Sequence, residues 1–222
     1  SWLFLYFPCS VGLPSEGVGD MSNHYYTKNP ETESKEASWT FPLRGREFRF
    51  ISDSGVFSKK TVDFGSRLLI ETFRLNEEVA GDILDVGCGY GPMGLALAYA
   101  YPARLVEMVD VNERAMSLAR RNAEANNIRN VKVYESNTYD QVPEERQFAA
   151  IVSNPPIRAG KQVVHRILSE AHVHLLPGGT LTVVIQKKQG APSAQQKMLD
   201  VFGNVAVIAR AKGYWIIQSV KA

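Results

Sequence analysis

The sequence predicts an α/β fold in which helices cover both faces of a doubly wound, mostly parallel β-sheet. From Gly81 onward, short apolar runs alternate with segments whose apolar residues recur at helical spacing, as in β-α-β units. The chain has 222 residues, 45% of them hydrophobic and 22% charged, so it can bury a sizeable core and is unlike disordered or collagen-like proteins. Its two cysteines, Cys9 and Cys88, are too few for a disulfide framework.

Two segments precede this alternation. Residues 1–20 begin with an apolar run that is shorter than the ~20 residues needed to span a bilayer and lacks the basic start of a signal peptide. We expect them to be an upstream or non-native extension, with Met21 as the natural start. Residues 21–54 are expected to form a polar arm, over residues 21–38, and a small hairpin cap, because apolar residues alternate on both sides of Arg44-Gly45-Arg46.

Residues 55–222 are predicted to form the α/β domain itself. A helix is expected over Asp63–Phe73, where apolar residues recur at helical spacing. Strands are predicted from apolar runs at residues 83–86, 105–110, 131–134, 148–153, 180–186, 204–209 and 214–219. Helical patterns lie between them at residues 92–101, 113–125, 160–176 and 192–202. The last two strands are too close in sequence for a crossover helix, so we expect an antiparallel hairpin.

The first of these strands runs into a glycine-rich turn, Asp85-Val-Gly-Cys-Gly-Tyr-Gly91, that suits a nucleotide cofactor. Asp110 ends the second strand, where a carboxylate can accept both hydroxyls of an adenosine ribose. The spacing Gly89-x-Gly91-x-x-Gly94 also fits a dinucleotide fingerprint, so both NAD and S-adenosylmethionine are considered. Asp85 favours S-adenosylmethionine, because a carboxylate before the glycines would repel a pyrophosphate but suits an ammonium group.

A second motif, Ser153-Asn154-Pro155-Pro156-Ile157, directly follows the fourth strand. Ligands of open α/β sheets bind at this carboxyl edge. The exocyclic amine of a nucleobase is a poor nucleophile, because its lone pair is delocalised into the ring. Acceptors on both N–H groups, here the side-chain carbonyl of Asn154 and the main-chain carbonyl of Pro155, would aim that lone pair at an electrophile, and the prolines would hold them in place.

These motifs, with Arg158-Ala-Gly-Lys161 after them, resemble the class I S-adenosylmethionine-dependent methyltransferases, and specifically the methyltransferase small domain family. Better-known members methylate N2 of a guanine in 16S ribosomal RNA. The resemblance runs from about Gly55 to the C terminus. It implies a Rossmann-like methyltransferase domain over residues 55–222, the sheet order 3-2-1-4-5-7-6 and S-adenosylmethionine as the cofactor.

The resemblance also implies roles for individual residues. The methionine part of the cofactor would be lined by Asp85, Gly87, Gly89 and Gly91, the ribose by Asp110 and Val111, and the adenine by Asn137. Relatives more often have Asp at this last position, so Asn137 would need its amide oriented to accept. A segment with Phe57, Asp63 and Gly65 would close over the cofactor, and Asn154 to Ile157 would form the amine site. Ile157 stands where DNA adenine and protein glutamine methyltransferases usually have an aromatic residue, which disfavours those substrates.

Substrate contacts are expected from local basic groups, because the formal net charge of +2 is too near neutral to indicate a nucleic-acid partner by itself. Two groups, Arg158 with Lys161 and Lys187 with Lys188, follow strands at the expected site edge, where they could contact phosphates. A third group, Arg44, Arg46 and Arg49, fits a phosphate contact and an ordinary solvated surface equally well.

The leading hypothesis is therefore a cytoplasmic methyltransferase that acts on guanine N2 of 16S ribosomal RNA, either as RNA or in the small ribosomal subunit. Alternatives are an N-methyltransferase for a protein glutamine or a small molecule, and a non-catalytic RNA-binding assembly factor. The intact Asn154-Pro155-Pro156 argues against the assembly factor. An NAD oxidoreductase ranks last, because nothing places a hydride acceptor. Neither a membrane partner nor a metal is expected, since the four histidines and two cysteines form no ligand cluster.

Overall fold

The computed structural model describes residues 34–54 and 60–222. The expected extension, residues 1–20, lies outside the described residues, as do most of the expected arm and Phe57. The last three residues of the expected arm, 36–38, belong to a strand. Among the described residues, no helix has both the length and the apolar character needed to cross a membrane.

The helices and strands follow the predicted alternation. The strands are β1 Glu36–Leu43, β2 Arg46–Asp53, β3 Ile83–Val86, β4 Val106–Asp110, β5 Val131–Glu135, β6 Phe148–Ser153, β7 Leu175–Gln186, β8 Ala206–Ala211 and β9 Tyr214–Val220. The α-helices are α1 Phe64–Thr72, α2 Pro92–Ala100, α3 Glu113–Ala125, α4 Lys161–Glu170 and α5 Ala191–Phe202. Short 3-10 helices cover Ile157–Ala159, Ala171–His174 and Lys187–Gln189.

Within the described part of the chain, seven strands form the main sheet in the order β5-β4-β3-β6-β7-β9-β8. Within this sheet, β3 to β7 pair in parallel, whereas β9 pairs antiparallel with both β7 and β8. Numbered along the chain, these strands have the order 3-2-1-4-5-7-6. The predicted fold class, sheet order and C-terminal hairpin are confirmed.

Two apolar cores lie on the two faces of the sheet. Side chains alternate between them along each strand, as in β6, where Ala150 and Val152 join the core with α1, α2 and α3, while Ile151 joins the core with α4 and α5. Every residue of β3 and β6 is buried. Central parallel strands buried on both faces explain why these segments are continuous apolar runs in the sequence.

The predicted N-terminal hairpin is β1 paired with β2, joined by the turn Arg44-Gly45 with φ of 50° and 76°. Two residues with positive φ give a turn that matches the twist of a hairpin. The hairpin is held to helix α3 by two buried asparagines. Asn122 accepts from the N–H of Ile51 at 2.7 Å and donates to its carbonyl at 3.1 Å. Asn126 makes the same pair of bonds with Arg49, at 2.9 and 2.7 Å. These main-chain N–H and carbonyl groups on the edge of β2 therefore have hydrogen-bond partners without a further strand.

Two hairpin arginines bind carbonyl groups at helix ends. Arg44 Nη1 donates to the main-chain oxygens of Ile70 and Phe73 at the end of α1, at 2.9 and 3.0 Å. Arg46 Nη2 donates to the main-chain oxygen of Asn126, the C-cap of α3, at 2.7 Å. A cation at a helix C terminus is favourable, because the free carbonyls there carry partial negative charge. Arg44 and Arg46 therefore attach the hairpin to the helices.

One predicted helix is too long. The helical pattern at residues 160–176 continues past Glu170, where α4 ends, and Leu175 already belongs to β7 and pairs with Phe148. Lys221 Nζ donates to the carbonyls of His172 and Leu175 at 2.9 and 2.8 Å. In a longer helix, these carbonyls would accept hydrogen bonds from main-chain N–H groups of the helix. Sheet pairing and this distant lysine therefore override the local helical spacing.

Candidate active site

Two adjoining cavities open at the carboxyl edge of the sheet, where β3, β4 and β6 end. The larger has a volume of about 310 Å³ and the smaller about 160 Å³. Gly87, Gly89 and Asn154 line both of them. The two predicted motifs, which are distant in sequence, are thus brought together around one continuous depression.

Of the glycines in and after the turn between β3 and α2, two are open to a ligand and two are packed against β4. Gly87 and Gly89 have φ of 75° and 58°, and a Cβ added to either would meet nothing within 4 Å. Their backbone is therefore accessible to a ligand. Gly91, the N-cap of α2, has φ of 104°, and its Cβ would lie 3.0 Å from Met108 Cε. Gly94 is tighter still, at 2.7 Å from the Met108 side chain, so these two glycines let α2 pack closely on β4.

Asp85 is buried at the end of β3, with 1% of its surface exposed. Its Oδ2 accepts from the N–H of Gly94 in α2 at 3.0 Å. Burial raises the pKa of the Asp85 carboxyl to about 7, while the Gly94 N–H opposes the shift and the Asp110 carboxylate adds to it. A cation bound in the smaller cavity would stabilise the ionised form.

Asp110 ends β4 and is hydrogen-bonded to the glycine turn. Its Oδ2 accepts from the N–H of Gly89 and its Oδ1 from the N–H of Asn112, both at 2.9 Å. Burial raises the pKa of Asp110 above its usual value, and the N–H groups of Asn112, Gly89 and Val111 oppose this shift. Each carboxylate oxygen has further lone pairs, and Asp110 and Val111 line the larger cavity.

The far wall of the larger cavity is the loop after β5, which includes Ser136, Asn137 and Thr138. The main-chain N–H of Asn137 donates to Gln141 Oε1 at 2.8 Å, so its side-chain amide is the group that can meet a ligand. Thr138 has φ of 51°, which is unusual for a β-branched residue. Its buried Oγ1 has no hydrogen-bond partner among the described residues.

The amine motif lies where the two cavities meet. Asn154 is half-buried, and its Nδ2 donates to Asp63 Oδ2 at 3.2 Å and to Ser66 Oγ at 3.0 Å. Pro155 is buried, and Pro156 lines the larger cavity. Ile157 starts the following 3-10 helix and packs against the core with α4 and α5. Of these four residues, Asn154 and Pro156 line the cavities.

Two residues of the segment that is expected to close over the cofactor, Asp63 and Gly65, have structural roles at the start of α1. Asp63 is the N-cap of α1, with Oδ2 accepting from the N–H of Ser66 at 3.0 Å, and it also lines the smaller cavity. Gly65 is buried, and a Cβ there would lie 2.8 Å from the ring of Tyr214 and 3.2 Å from Val184. Gly65 therefore lets α1 pack closely against β7 and β9.

The predicted phosphate contacts lie at the same edge of the sheet. Arg158, Lys161, Lys187 and Lys188 are exposed, next to the ends of β6 and β7. Lys212, which was not predicted from the sequence, is exposed at the tip of the C-terminal hairpin. The turn of this hairpin lies next to Lys187, whose N–H donates to the carbonyl of Gly213 at 2.8 Å. Residues 154–222 contain nine Lys and Arg but two Asp and Glu.

Several other lining residues were also missed from the sequence, namely Asn112, Ala115, Ser136, Thr138, Val163 and Ile167 in the larger cavity and Ser66, Tyr90 and Met93 in the smaller. Val163 and Ile167 look like any apolar face of a helix, so no sequence signal marks them. Positions 136 and 138 flank Asn137 and could have been inferred from it.

Across residues 34–54 and 60–222, no group of three or more His, Cys, Asp or Glu side chains could hold a metal ion.

The chain is similar in sequence to known proteins. Residues 47–218 match the sequence profile described as methyltransferase small domain. The chain is 54% identical over 201 residues to the uncharacterized protein YbxB of Bacillus subtilis (strain 168), covering 90% of this chain and 100% of that protein. It is 34% identical over 194 residues to ribosomal RNA small subunit methyltransferase C of Pseudomonas aeruginosa (strain LESB58), covering 86% of this chain and 56% of that protein.

A solved structure is similar as well. The T. thermophilus 16S rRNA N2 G1207 methyltransferase (RsmC), in complex with AdoMet and guanosine, matches with a TM-score of 0.75 at 27% identity, covering 87% of this chain and 52% of that one. The chain spans about half the length of the named methyltransferases it matches. The predicted resemblance, the Rossmann-like fold and the predicted cofactor, S-adenosylmethionine, are confirmed by these matches.

Proposed function

Because the chain belongs to the methyltransferase small domain family, we propose that it methylates N2 of a guanine in 16S ribosomal RNA. The observation that carries this proposal is the position of Asn154, at the junction of a cavity that suits adenosine and a second, smaller cavity. Its side-chain oxygen has no partner among the described residues and is available to an amine. The similarity to rRNA methyltransferase C and RsmC supports the choice of substrate.

The cavity residues fit the cofactor. Asp110 has lone pairs for the ribose hydroxyls, the open backbone of Gly87 and Gly89 leaves room for the chain that joins ribose and methionine, and the buried Thr138 hydroxyl lacks a partner among the described residues. Asn137 would meet the adenine edge and Asp85 the ammonium group. When bound, S-adenosylmethionine supplies a methyl group on a positively charged sulfur.

The chain's own residues would prepare the amine. Asn154 Oδ1 and the Pro155 carbonyl accept its two N–H groups, which draws the nitrogen towards a tetrahedral shape and directs its lone pair. The prolines restrict φ, so these acceptors need little reorganisation during the reaction. Water can take the proton that the amine loses, because the nitrogen becomes acidic once it is methylated. A general base is not needed before the attack.

The charge distribution supports RNA as the substrate. Arg158, Lys161, Lys187 and Lys188 would contact phosphates on both sides of the amine site, with Lys212 extending their track. Residues 154–222 have a formal charge of +7, from nine Lys and Arg and two Asp and Glu, whereas the whole chain has +2. A ribosomal RNA substrate would place the enzyme in the cytoplasm, where the small subunit is assembled.

The test is methyl transfer by purified protein from isotopically labelled S-adenosylmethionine to naked 16S rRNA and to 30S subunits, both from cells that lack the gene. Mass spectrometry of the nucleosides should find labelled N2-methylguanosine. Label in a glutamine of a 30S protein instead would favour the other enzyme hypothesis. Cofactor binding without transfer to any fraction would favour the assembly factor, and either result would overturn the proposal.

A further inference from the structure

We infer that Asp63 and Ser66, in the first turn of α1, are positioning residues that set the orientation of the Asn154 side-chain amide. The inference rests on the proposed function, since it concerns how Asn154 presents an acceptor to the substrate amine. It assigns to Asp63 a role other than the cofactor contact that the family resemblance implies. Ser66 has no sequence-based role at all.

An asparagine amide has two ends of similar size and opposite hydrogen-bonding character. Only the oxygen can accept from an amine N–H, whereas the nitrogen carries two donors. Asn154 would be useless to an amine donor if its nitrogen faced the substrate. Something in the protein must therefore distinguish the two ends.

The surroundings of Asn154 make this distinction. A carboxylate has no proton to donate, so the end of the amide that faces Asp63 must be the nitrogen. Asn154 Nδ2 lies 3.2 Å from Asp63 Oδ2 and 3.0 Å from Ser66 Oγ, which uses both of its donors. The reversed amide would place its oxygen against the Asp63 carboxylate, which has no proton to donate, and only the Ser66 hydroxyl could then donate to it. The amide oxygen is consequently left for the substrate.

Asp63 and Ser66 are themselves held in place. Asp63 Oδ2 accepts from the N–H of Ser66 at 3.0 Å, and Ser66 has 4% of its surface exposed. Helix α1 is anchored by Leu69 and Ile70, which are fully buried, and by the close packing of Gly65 on β7 and β9. All of these contacts lie within the protein, so the amide is oriented before a substrate binds.

The test uses two variants that spare the helix cap. Asn is as good an N-cap as Asp, so Asp63→Asn keeps α1 but replaces an obligatory acceptor with a group that can accept or donate. Ser66→Ala removes the second acceptor and keeps the carboxylate. Asp200→Asn is the matched control, because Asp200 is exposed on α5 and bonds Gln196.

For Asp63→Asn we expect kcat for RNA methylation to fall roughly tenfold or more, with the Kd for S-adenosylmethionine and the KM for RNA within about twofold of wild type. Ser66→Ala should have a smaller effect and Asp200→Asn none. In an Asn154→Ala background, Asp63→Asn should cause no further loss of kcat, because the residue it positions is gone. A full additional tenfold loss there, or a Kd weakened by more than tenfold in Asp63→Asn alone, would overturn the inference.

A readout without activity separates this inference from the proposed function. The side-chain NH2 of Asn154 gives a proton–nitrogen NMR correlation, identified by its absence in Asn154→Ala. Asp63→Asn should shift both amide protons, and Ser66→Ala mainly one of them, whereas unchanged signals in both variants would contradict the inference. If the two variants showed the expected shifts but wild-type protein methylated no RNA, only the proposed function would fail.

Discussion

At the scale of single residues, Asp110 serves both the fold and the proposed cofactor site. Its two oxygens already accept from Gly89 and Asn112, which shapes the glycine turn before a ligand binds. We expect Asp110→Ala to weaken S-adenosylmethionine binding by about 1–3 kcal/mol, the usual cost of losing hydrogen bonds to a charged group. Calorimetric titration measures this loss. Asp110→Asn, which keeps one acceptor oxygen, should lose less, and an unchanged Kd in Asp110→Ala would place the ribose elsewhere.

Asp85 makes the stability of the free protein depend on pH. Its pKa is raised to about 7 in the folded state, from the ordinary value of 3.8. The folded state therefore holds a proton that the unfolded state has lost, so this residue reduces stability as pH rises from about 4 to about 7. Asp85→Asn should remove this loss, on the order of 4 kcal/mol at most, because each pKa unit is worth ~1.4 kcal/mol.

Urea unfolding of the free protein at pH 5 and pH 8 measures this effect. The advantage of Asp85→Asn over wild type should be larger at pH 8 than at pH 5. The asparagine can still accept from Gly94, so the comparison isolates the charge. An advantage that does not change with pH would show that Asp85 stays ionised in the folded protein throughout this range.

At the scale of elements, the attachment of the hairpin to α3 depends on buried amides. Asn122 bonds both the N–H and the carbonyl of Ile51 and also the carbonyl of Tyr90. Asn122→Ala leaves these buried groups unpaired, so we expect a loss of about 2–5 kcal/mol in the free energy of unfolding. Glu124→Ala, on the exposed face of the same helix, should change it by less than about 0.5 kcal/mol. Equal effects in denaturant unfolding would contradict this account of the hairpin.

The main-sheet elements could be predicted from the sequence because their local pattern and their tertiary role agree. The runs at residues 83–86 and 148–153 match β3 and β6, since central parallel strands are apolar on both faces. The end of α4 could not be predicted, because it depends on pairing with Phe148 and on the distant Lys221. The contacts of Asn122 and Asn126 with β2 are likewise invisible in the sequence, where both residues look like ordinary polar positions on a helix.

The candidate site likewise contains some residues that could be predicted from the sequence and others that could not. Asp85, Asp110 and Asn154 could be proposed from the sequence because each lies at or next to the carboxyl end of a strand, where the topology brings them together. Ser66 could not, because its link to Asn154 joins residues that are 88 positions apart in the sequence. Gly65 and Gly91 illustrate another limit, since both have close packing contacts that a glycine in a motif does not reveal.

At the scale of the whole molecule, the proposed phosphate contacts predict which basic side chains contribute to RNA binding. Lys161→Glu and Lys187→Glu should raise the KM for RNA roughly three- to tenfold each and reduce its salt dependence, with little effect on saturated turnover or on cofactor binding. Arg129→Glu makes the same change of charge at an exposed position before the amino end of β5, at the opposite edge of the sheet, and should have little effect. The KM for RNA is measured at several salt concentrations. Equal effects of all three charge reversals on this KM would indicate a general effect of net charge and would contradict specific phosphate contacts at Lys161 and Lys187.

The most direct test of the central claim is the rate at which Asn154→Ala forms N2-methylguanosine in 16S rRNA or 30S subunits, measured beside its affinity for S-adenosylmethionine. The account predicts a loss of about 100- to 1000-fold in rate, typical for one preorganised acceptor, with a Kd and a melting temperature close to those of wild type. Full methylation by Asn154→Ala, or a loss that follows entirely from failed cofactor binding, would contradict the placement of the reacting amine beside Asn154.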